Sequence, residues 1–409
     1  MDTRADTLRS TDWSRTFHAH GQATDAPEVL AGLLSAKGEE RAEALAYLNG
    51  VILHQGTVYP ATPPAALFVA GLLADPVGDL PVSDPLGGAA GAPSDPLRPH
   101  LLGFLADVAR AVTEVSAGRS LAHMIELADP GEQRDELDAL LTRMARGDTE
   151  GDEGLWEDPL LDTVFHAALR DLHLAAPALL GAVRPLLTHA DGRVRQQAVT
   201  ASGALSRLGE GPEVDLSGAA DLAENRDQGA AIVLALVEGG RDTSAFLTHP
   251  DQAIRACAAL SEHLEDDPVA LGELRTALAD PSAADSWFQD RPGFFPGHVR
   301  SSLVDALVAR SGPGDAADLL PVFRALAGVA SVFTSESDLA GLLRLAMGVT
   351  EETTVPGVVS PTDLQRAYLR AVADNDRLWS TGVASLSPVL HGLGLPSDRE
   401  ALAALAANP

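Results

Sequence analysis

Four residues near the start of the chain have side chains that can bind a metal ion. His18 and His20 are one residue apart, Asp12 precedes them, and His54 follows further along. Imidazole and carboxylate are common metal ligands, and His-x-His on a loop is compatible with binding one ion, but no spacing here matches an established zinc pattern. Histidines in such positions more often bond backbone groups or face water, so the sequence predicts no metal and no other cofactor.

Two short segments are candidate binding sites. Residues 54–59 offer hydrogen-bond donors and acceptors beside apolar carbon; the alternative is a structural turn whose polar groups satisfy helix-end carbonyls. Residues 280–297 contain four aromatic residues and three prolines. The candidate binding residues are His54, Gln55, Tyr59, Trp287, Phe288, Phe294 and Phe295.

The other histidines form no catalytic pattern. His166 and His173 are two helical turns apart, with no carboxylate at a matching spacing to orient them. The chain has no Gly-x-Ser-x-Gly, no glycine loop for phosphate and no His-Glu-x-x-His. These observations favour a protein that is not an enzyme.

Composition favours an all-α fold. Of the 409 residues 45% are hydrophobic but only 4% aromatic, and the apolar residues are mostly Ala, Leu and Val. Such residues suit helix-on-helix packing, whereas a β-rich protein would need more Tyr, Phe, Thr and Ile. The single cysteine, Cys257, falls on an apolar helix face and is expected to be a buried, unreactive thiol.

The charge balance restricts the possible partners. With 29 basic and 58 acidic residues the formal charge is −29. Such a field repels nucleic acid and anionic lipid and attracts basic partners. The N-terminus lacks the apolar core of a signal peptide, and the longest apolar run, 65–74, is too short to span a bilayer. The sequence therefore predicts a cytoplasmic protein with no membrane and no nucleic-acid contact.

One pattern recurs along the chain. Residues 186–209 contain a helix end, a turn and a second helix with an apolar face. The same pattern returns with an offset of 249 − 189 = 60, so that His249 matches His189, and a weaker copy begins at 297. The equivalence of the two histidines favours a structural role. The repeat residues are Asp191, Val194, Arg195, Asp251, Ile254, Arg255, Val299 and Arg300.

The Asp-x-x-(Val/Ile)-Arg-x-x-Ala pattern resembles the HEAT repeat family and its bacterial relatives related to phycocyanobilin lyases. The Asp can cap the second helix of a repeat. The resemblance implies an α-solenoid of antiparallel helix pairs, a HEAT-like or armadillo-type superhelix, in which the Arg bonds a neighbouring carboxylate or carbonyl. Some HEAT-like proteins are DNA glycosylases with a basic concave face, and this chain has no basic stripe.

The first block also resembles a group of uncharacterised bacterial HEAT-like proteins. The shared features are Trp13, the segment from Gly21 to Pro27, and the His-Gln-Gly-x-Val-Tyr turn at 54–59. We predict one continuous array over 1–409, with N-terminal helices in 1–74, a Pro- and Gly-rich loop in 75–99 and central repeats in 100–279. An acidic loop is expected at 146–159, the aromatic insertion occupies 280–297, and degenerate repeats fill 298–409.

Three hypotheses follow from the sequence. The first is a non-catalytic scaffold whose groove binds a protein partner, possibly a basic one, for example as an immunity-type neutraliser. The second is an enzyme or small-molecule binder with a pocket at 54–59 or at 287–295. The third is a purely structural subunit, which a large exposed apolar patch would indicate.

Overall fold

The computed structural model describes residues 3–83, 95–146, 158–209, 214–349, 360–379 and 386–407. The chain divides into two compact units, Met1–Glu224 and Asn225–Pro409. Helices dominate both units, and the described part of the chain has an all-α architecture. Two expected loops lie partly outside the described residues. These parts are 147–157 of the acidic loop and 84–94 of the Pro- and Gly-rich loop.

Each unit contains ten of the described α-helices. Those of the first unit are α1 Thr3–Ser10, α2 Ala26–Ala31, α3 Gly38–Tyr47, α4 Thr62–Leu72, α5 Leu97–Val115, α6 Leu121–Leu127, α7 Arg134–Ala145, α8 Leu160–Val183, α9 Gly192–Ser206 and α10 Ser217–Asp221. Those of the second unit are α11 Arg226–Glu238, α12 Gln252–Ala258, α13 Pro268–Leu278, α14 Pro281–Asp285, α15 Val299–Ala309, α16 Ala316–Val329, α17 Gly341–Met347, α18 Asp363–Ala373, α19 Leu386–Gly392 and α20 Arg399–Ala407.

Extended structure in the described residues is limited to one small hairpin and an isolated bridge. Strands β1 Phe17–His18 and β2 Gly21–Gln22 pair antiparallel, with Phe17 opposite Gln22. Gly21 has a φ of +116°, which a glycine adopts without the steric cost that a side chain would add. The bridge joins Pro81 to Pro96.

Several helices agree with the sequence analysis. The long apolar-faced helix that the sequence predicts over 97–115 is α5, and two helices, α10 and α11, occur between 216 and 239, where the offset of 60 residues leaves room for one more helix pair. Predicted helix starts at 38 and 62 coincide with those of α3 and α4. These segments combine an apolar face with a polar or proline start signal, which explains the agreement.

Other segments differ from the expectation. The sequence of 160–188 predicts two helical segments, 160–173 and 175–188, but α8 runs unbroken to Val183 with Pro177 inside it. A proline inside a helix loses one hydrogen bond, and packing of α8 against α4, α6 and α9 stabilises the helix despite that loss. Part of the expected surface loop is also packed: Pro76–Asp79 form a 3-10 turn in which Val77 is buried.

The core of the second unit is formed where its helices contact near neighbours in sequence. Helix α12 contacts α11 and α13, α13 contacts α15, and α16 contacts α18, which in turn contacts α20. Tyr368 and Phe323 lie at its centre with ring centroids 4.4 Å apart. The Tyr368 hydroxyl donates to the Ala316 carbonyl at 2.7 Å, so the buried polar atom is satisfied.

Among the described helices, none combines the length and the apolar character that crossing a membrane would require.

The Cys257 side chain is buried in α12, as the sequence predicts. Burial, together with the charge of Asp251, raises the pKa of the thiol, and only the thiolate reacts readily with thiol reagents. We expect a disulfide-exchange reagent to label no cysteine in the native protein and one after unfolding in denaturant. Rapid labelling under native conditions would contradict this placement of α12.

Gly341 is the point of close approach between α17 and α15. A Cβ atom there would lie 2.8 Å and 3.0 Å from the two methyl carbons of Val308. Valine cannot easily turn away because its χ1 angle is restricted. We expect Gly341→Ala to lower the free energy of unfolding by about 1–3 kcal/mol, measured by denaturant titration.

The control for this experiment is Gly272→Ala in the middle of α13. A Cβ atom at Gly272 would meet nothing within 4 Å. There alanine should stabilise the helix by up to about 1 kcal/mol. Equal effects of the two substitutions would contradict the described packing of α15 and α17.

Candidate functional site

The repeated turn before α9 is organised by three side chains. Asp191 Oδ1 accepts hydrogen bonds from the backbone N–H groups of Arg193 and Val194, at 2.8 Å and 3.2 Å. His189 Nδ1 accepts from the Asp191 N–H at 3.1 Å. Arg195 donates to the carbonyl oxygens of His189 and Ala190, at 2.8 Å and 2.9 Å. The turn therefore caps the helix and satisfies carbonyls that the preceding helix leaves free.

The turn before α12 has the same construction. Asp251 Oδ1 accepts from the Ala253 N–H at 2.9 Å, and His249 Nδ1 accepts from the Asp251 N–H at 3.1 Å. Arg255 donates to the His249 and Pro250 carbonyls at 2.9 Å and 3.2 Å. Both turns follow a 3-10 helix, and the backbone angles of the two histidines differ by at most 5°. His189 and His249 thus have the same local structural role.

In the third copy of the repeat the arginine makes different contacts. Pro296 stands where the other copies have Asp, and the side chain of His298, the residue before α15, makes no capping bond. Arg300 bonds carboxylates instead: Nε and Nη2 contact both Asp338 oxygens at 3.0 Å and 3.1 Å, and Nη1 contacts Asp285. Asp338 has no exposed surface, so this ion pair is buried.

We expect Asp191→Ala and Asp251→Ala each to lower the free energy of unfolding by about 1 kcal/mol, because each removes a helix cap. The loss should be larger for Asp251, which also pairs with Arg226 at 2.7 Å. Thermal or denaturant unfolding measures both changes. Gln197→Ala, on the same helix as the Asp191 cap, is the control and should be close to neutral. A neutral result for both Asp variants would contradict the capping role of the two carboxylates.

The imidazole of His18 is held inside the N-terminal hairpin. Its Nδ1 accepts the His20 N–H at 3.1 Å, and its Nε2 donates to Asp25 Oδ1 at 2.9 Å. Partial burial by itself would raise the pKa of Asp25, but the hydrogen bonds that its carboxylate accepts, first of all from His18, together with the charge of His18 outweigh burial and lower that pKa. Both ring nitrogens of His18 are therefore engaged, and the residue positions the hairpin.

Tyr47 packs against this pair. Its ring meets His18 edge-on at a centroid distance of 5.8 Å. Its hydroxyl is buried close to the carboxylate of Asp25. Burial and the nearby charge of Asp25 raise the pKa of Tyr47, so the hydroxyl stays protonated.

Residues 54–59 form a turn with unusual backbone geometry. A π-helical turn, Leu48–Ile52, follows α3, and then Gln55 has a φ of +53°, the only positive φ of a non-glycine residue in the described chain. His54 Nδ1 donates to the Gly50 carbonyl at 2.9 Å, and the rings of His54 and His20 lie 5.7 Å apart. Tyr59 contacts Phe165 at a ring distance of 6.2 Å. The turn therefore brings together residues that lie far apart in the sequence.

The four aromatic residues of 280–297 pack together. The Phe295 ring stacks on Phe288 at 6.1 Å and meets Phe294 edge-on at 5.2 Å, while Trp287 contacts Phe288 at 6.4 Å. Phe295 is only 2% exposed, and the other three pack against the core of the second unit. Core packing accounts for the presence of four aromatic residues in this segment.

A groove between α2 and α3 has acidic and apolar walls. Its volume is about 570 Å³. Glu40 bonds Lys37 and Ser35, at 2.7 Å and 2.5 Å, and these contacts lower the pKa of Glu40. Glu28 and Glu43 are exposed and have no ion-pair or hydrogen-bond partner among the described residues. Leu34 is 46% exposed, so the groove offers an apolar contact beside free carboxylates.

A second groove, of about 600 Å³, lies between α16 and α18. Its charged lining residues are Arg324, Arg370, Arg377, Asp374 and Asp376. Arg370 already donates to the Ala406 carbonyl, and Asp376 pairs with Arg399. The groove lies at the C-terminal ends of both helices, where arginines complement the helix dipoles. Its charge is therefore largely balanced locally.

No three His, Cys, Asp or Glu side chains come together in the described ranges as a group that could hold a metal ion. His173 serves packing, because its two ring nitrogens contact the Leu208 carbonyl at 2.7 Å and Ser116 Oγ at 3.2 Å. Comparison with protein-family models, with curated proteins and with solved structures finds no significant match to this chain.

Sequence reasoning did not identify the acidic groove. Its residues come from two helices and the connection between them. The one available sequence signal is the spacing of Glu40 and Glu43, which are three residues apart on α3 and therefore share a helix face. The exposure of Leu34 could not be read from the sequence, because that residue belongs to an apolar run in which the other leucines, Leu30 and Leu33, are buried.

Proposed function

We propose that this protein is a non-catalytic helical-repeat scaffold that binds a basic partner protein. We propose further that its helices stack as pairs in a HEAT-like solenoid. The common geometry of the turns before α9 and α12 supports repetition, because each has an Asp that caps the following helix and an Arg that donates to the carbonyls of the two residues before that Asp. Packing of helices on near neighbours in the second unit is what such a stack requires.

The acidic groove between α2 and α3 is the observation that carries the binding proposal. Glu28 and Glu43 hold their charge without a partner among the described residues, and the chain as a whole carries a formal charge of −29. An acidic field of this size speeds encounter with a positively charged partner and discriminates against anionic ones.

The groove also suggests which part of a partner it would accept. Val29 and Leu34 supply apolar surface between the carboxylates. An amphipathic helix with an apolar stripe and flanking Lys or Arg residues would match both features, in the way that many grooves receive helical segments. We propose a segment of this kind as the ligand.

A designed amphipathic peptide of Leu and Lys at helical spacing is the probe. We expect it to bind the full chain, and Glu28→Gln/Glu43→Gln to weaken binding about fivefold, because two exposed ion pairs contribute up to about 1 kcal/mol together. The affinity should fall as salt is added. Fluorescence anisotropy of the labelled peptide measures both effects.

The matched control is Glu114→Gln/Glu132→Gln, which removes the same charge at exposed positions away from the groove lining. If both double variants lose the same affinity, the peptide responds to overall charge and the groove is not the site. If the peptide does not bind, or binds equally well at high salt, the proposal of a basic partner at this groove is wrong.

A further inference from the structure

The hairpin β1–β2 and the turn after α3 bring two histidines together from distant parts of the sequence. The Ala19 N–H donates to the Val51 carbonyl at 3.3 Å, and the Ala61 N–H donates to the Phe17 carbonyl at 2.9 Å. These backbone bonds fix the hairpin against the turn on both sides. As a result the rings of His20 and His54 face each other at a centroid distance of 5.7 Å, with planes inclined by 57°.

The hydrogen bonds of His54 leave one nitrogen available. Nδ1 donates its proton to the Gly50 carbonyl at 2.9 Å, so in the neutral ring Nε2 carries a lone pair. Histidines that bind metals usually donate their other ring N–H to a carbonyl or carboxylate in this way. The His20 ring has no hydrogen-bond partner among the described residues and is exposed.

The turn that carries His54 is strained. Gln55 adopts the left-handed conformation with φ +53°, and Gly56 follows with φ +74°. For a residue other than glycine such a conformation is unfavourable, and strain of this kind concentrates at ligand-binding positions. The preceding π-helical turn is a second feature that is frequent at functional sites.

We propose that His20 and His54 together bind a divalent transition-metal ion of the class that imidazole prefers, such as Zn²⁺ or Ni²⁺. Metal–nitrogen bonds of about 2.0–2.1 Å in tetrahedral geometry place two imidazole centres on one ion roughly 5–6 Å apart, which the observed 5.7 Å satisfies. Water completes the coordination, and the ion links the hairpin to the turn. This site is independent of the proposed partner groove.

His18 is excluded from the ligand set although it is near. Its ring lies 6.3 Å from that of His20, but both of its nitrogens are already engaged by the His20 N–H and by Asp25. The site is therefore a two-histidine site in which His18 holds the backbone of His20 in place.

Zn²⁺ competition against a chromophoric chelator, with the full chain, tests the proposal. We expect one ion that is lost or bound at least about tenfold more weakly in His20→Gln and in His54→Asn. The asparagine can still donate to the Gly50 carbonyl, so the turn keeps its hydrogen bond. His123→Gln is the control, because His123 is an exposed histidine on α6.

Thermal unfolding provides a second measurement. An ion that binds only the folded state raises the melting temperature, so Zn²⁺ should stabilise the wild type and the His123 variant but neither ligand variant. Melting curves without metal show whether each variant is folded. If wild-type protein binds no Zn²⁺, or if the ligand variants bind as tightly as His123→Gln, the two-histidine site does not exist.

Discussion

This structure depends on one requirement: the carbonyl groups that helix ends leave free must receive hydrogen bonds. Many of its helices are short, so the chain has many ends, and a buried carbonyl without a donor costs free energy. Arginine provides the donors: Arg41 bonds the carbonyls of Ser35 and Pro81, and Arg98 bonds those of Leu73 and Asp75. Arg195, Arg255 and Arg310 do the same at later helix ends.

This use of arginine has a consequence for the surface. Lys37 is the only lysine among 29 basic residues, and the planar guanidinium can serve several carbonyls at once, which an ammonium group does less well. Arg41, Arg98 and Arg195 are at most 6% exposed. Some of these guanidinium groups serve the backbone and a surface carboxylate at once: Arg98 also pairs with Asp79, and Arg195 lies 3.8 Å from Glu224. With 58 acidic and 29 basic residues, many carboxylates such as those of Glu28 and Glu43 still have no arginine partner in the described part of the chain.

Helices whose sequence signals all lie within one short segment could be predicted, and elements that depend on distant contacts could not. Helices with an apolar stripe and a local start signal, such as α5 and the Asp-capped α9, could be placed from the sequence because all the information lies within one segment. The length of α8 could not, since the sequence predicts two helices that divide at residue 174 and tertiary packing keeps them as one. The hairpin at 17–22 was missed because two-residue strands have no detectable alternation.

The candidate sites were less predictable because each joins segments that the sequence separates. The sequence groups His54 with Asp12, His18 and His20 as possible ligands, and the backbone bonds of Ala19 and Ala61 place His20 beside it. Residues of the same type and close in sequence can also have different roles. Both ring nitrogens of His18 are hydrogen-bonded inside the hairpin, whereas His20 is exposed. The N–H of His20 decides this difference, because it occupies the nitrogen that His18 would otherwise offer to a ligand.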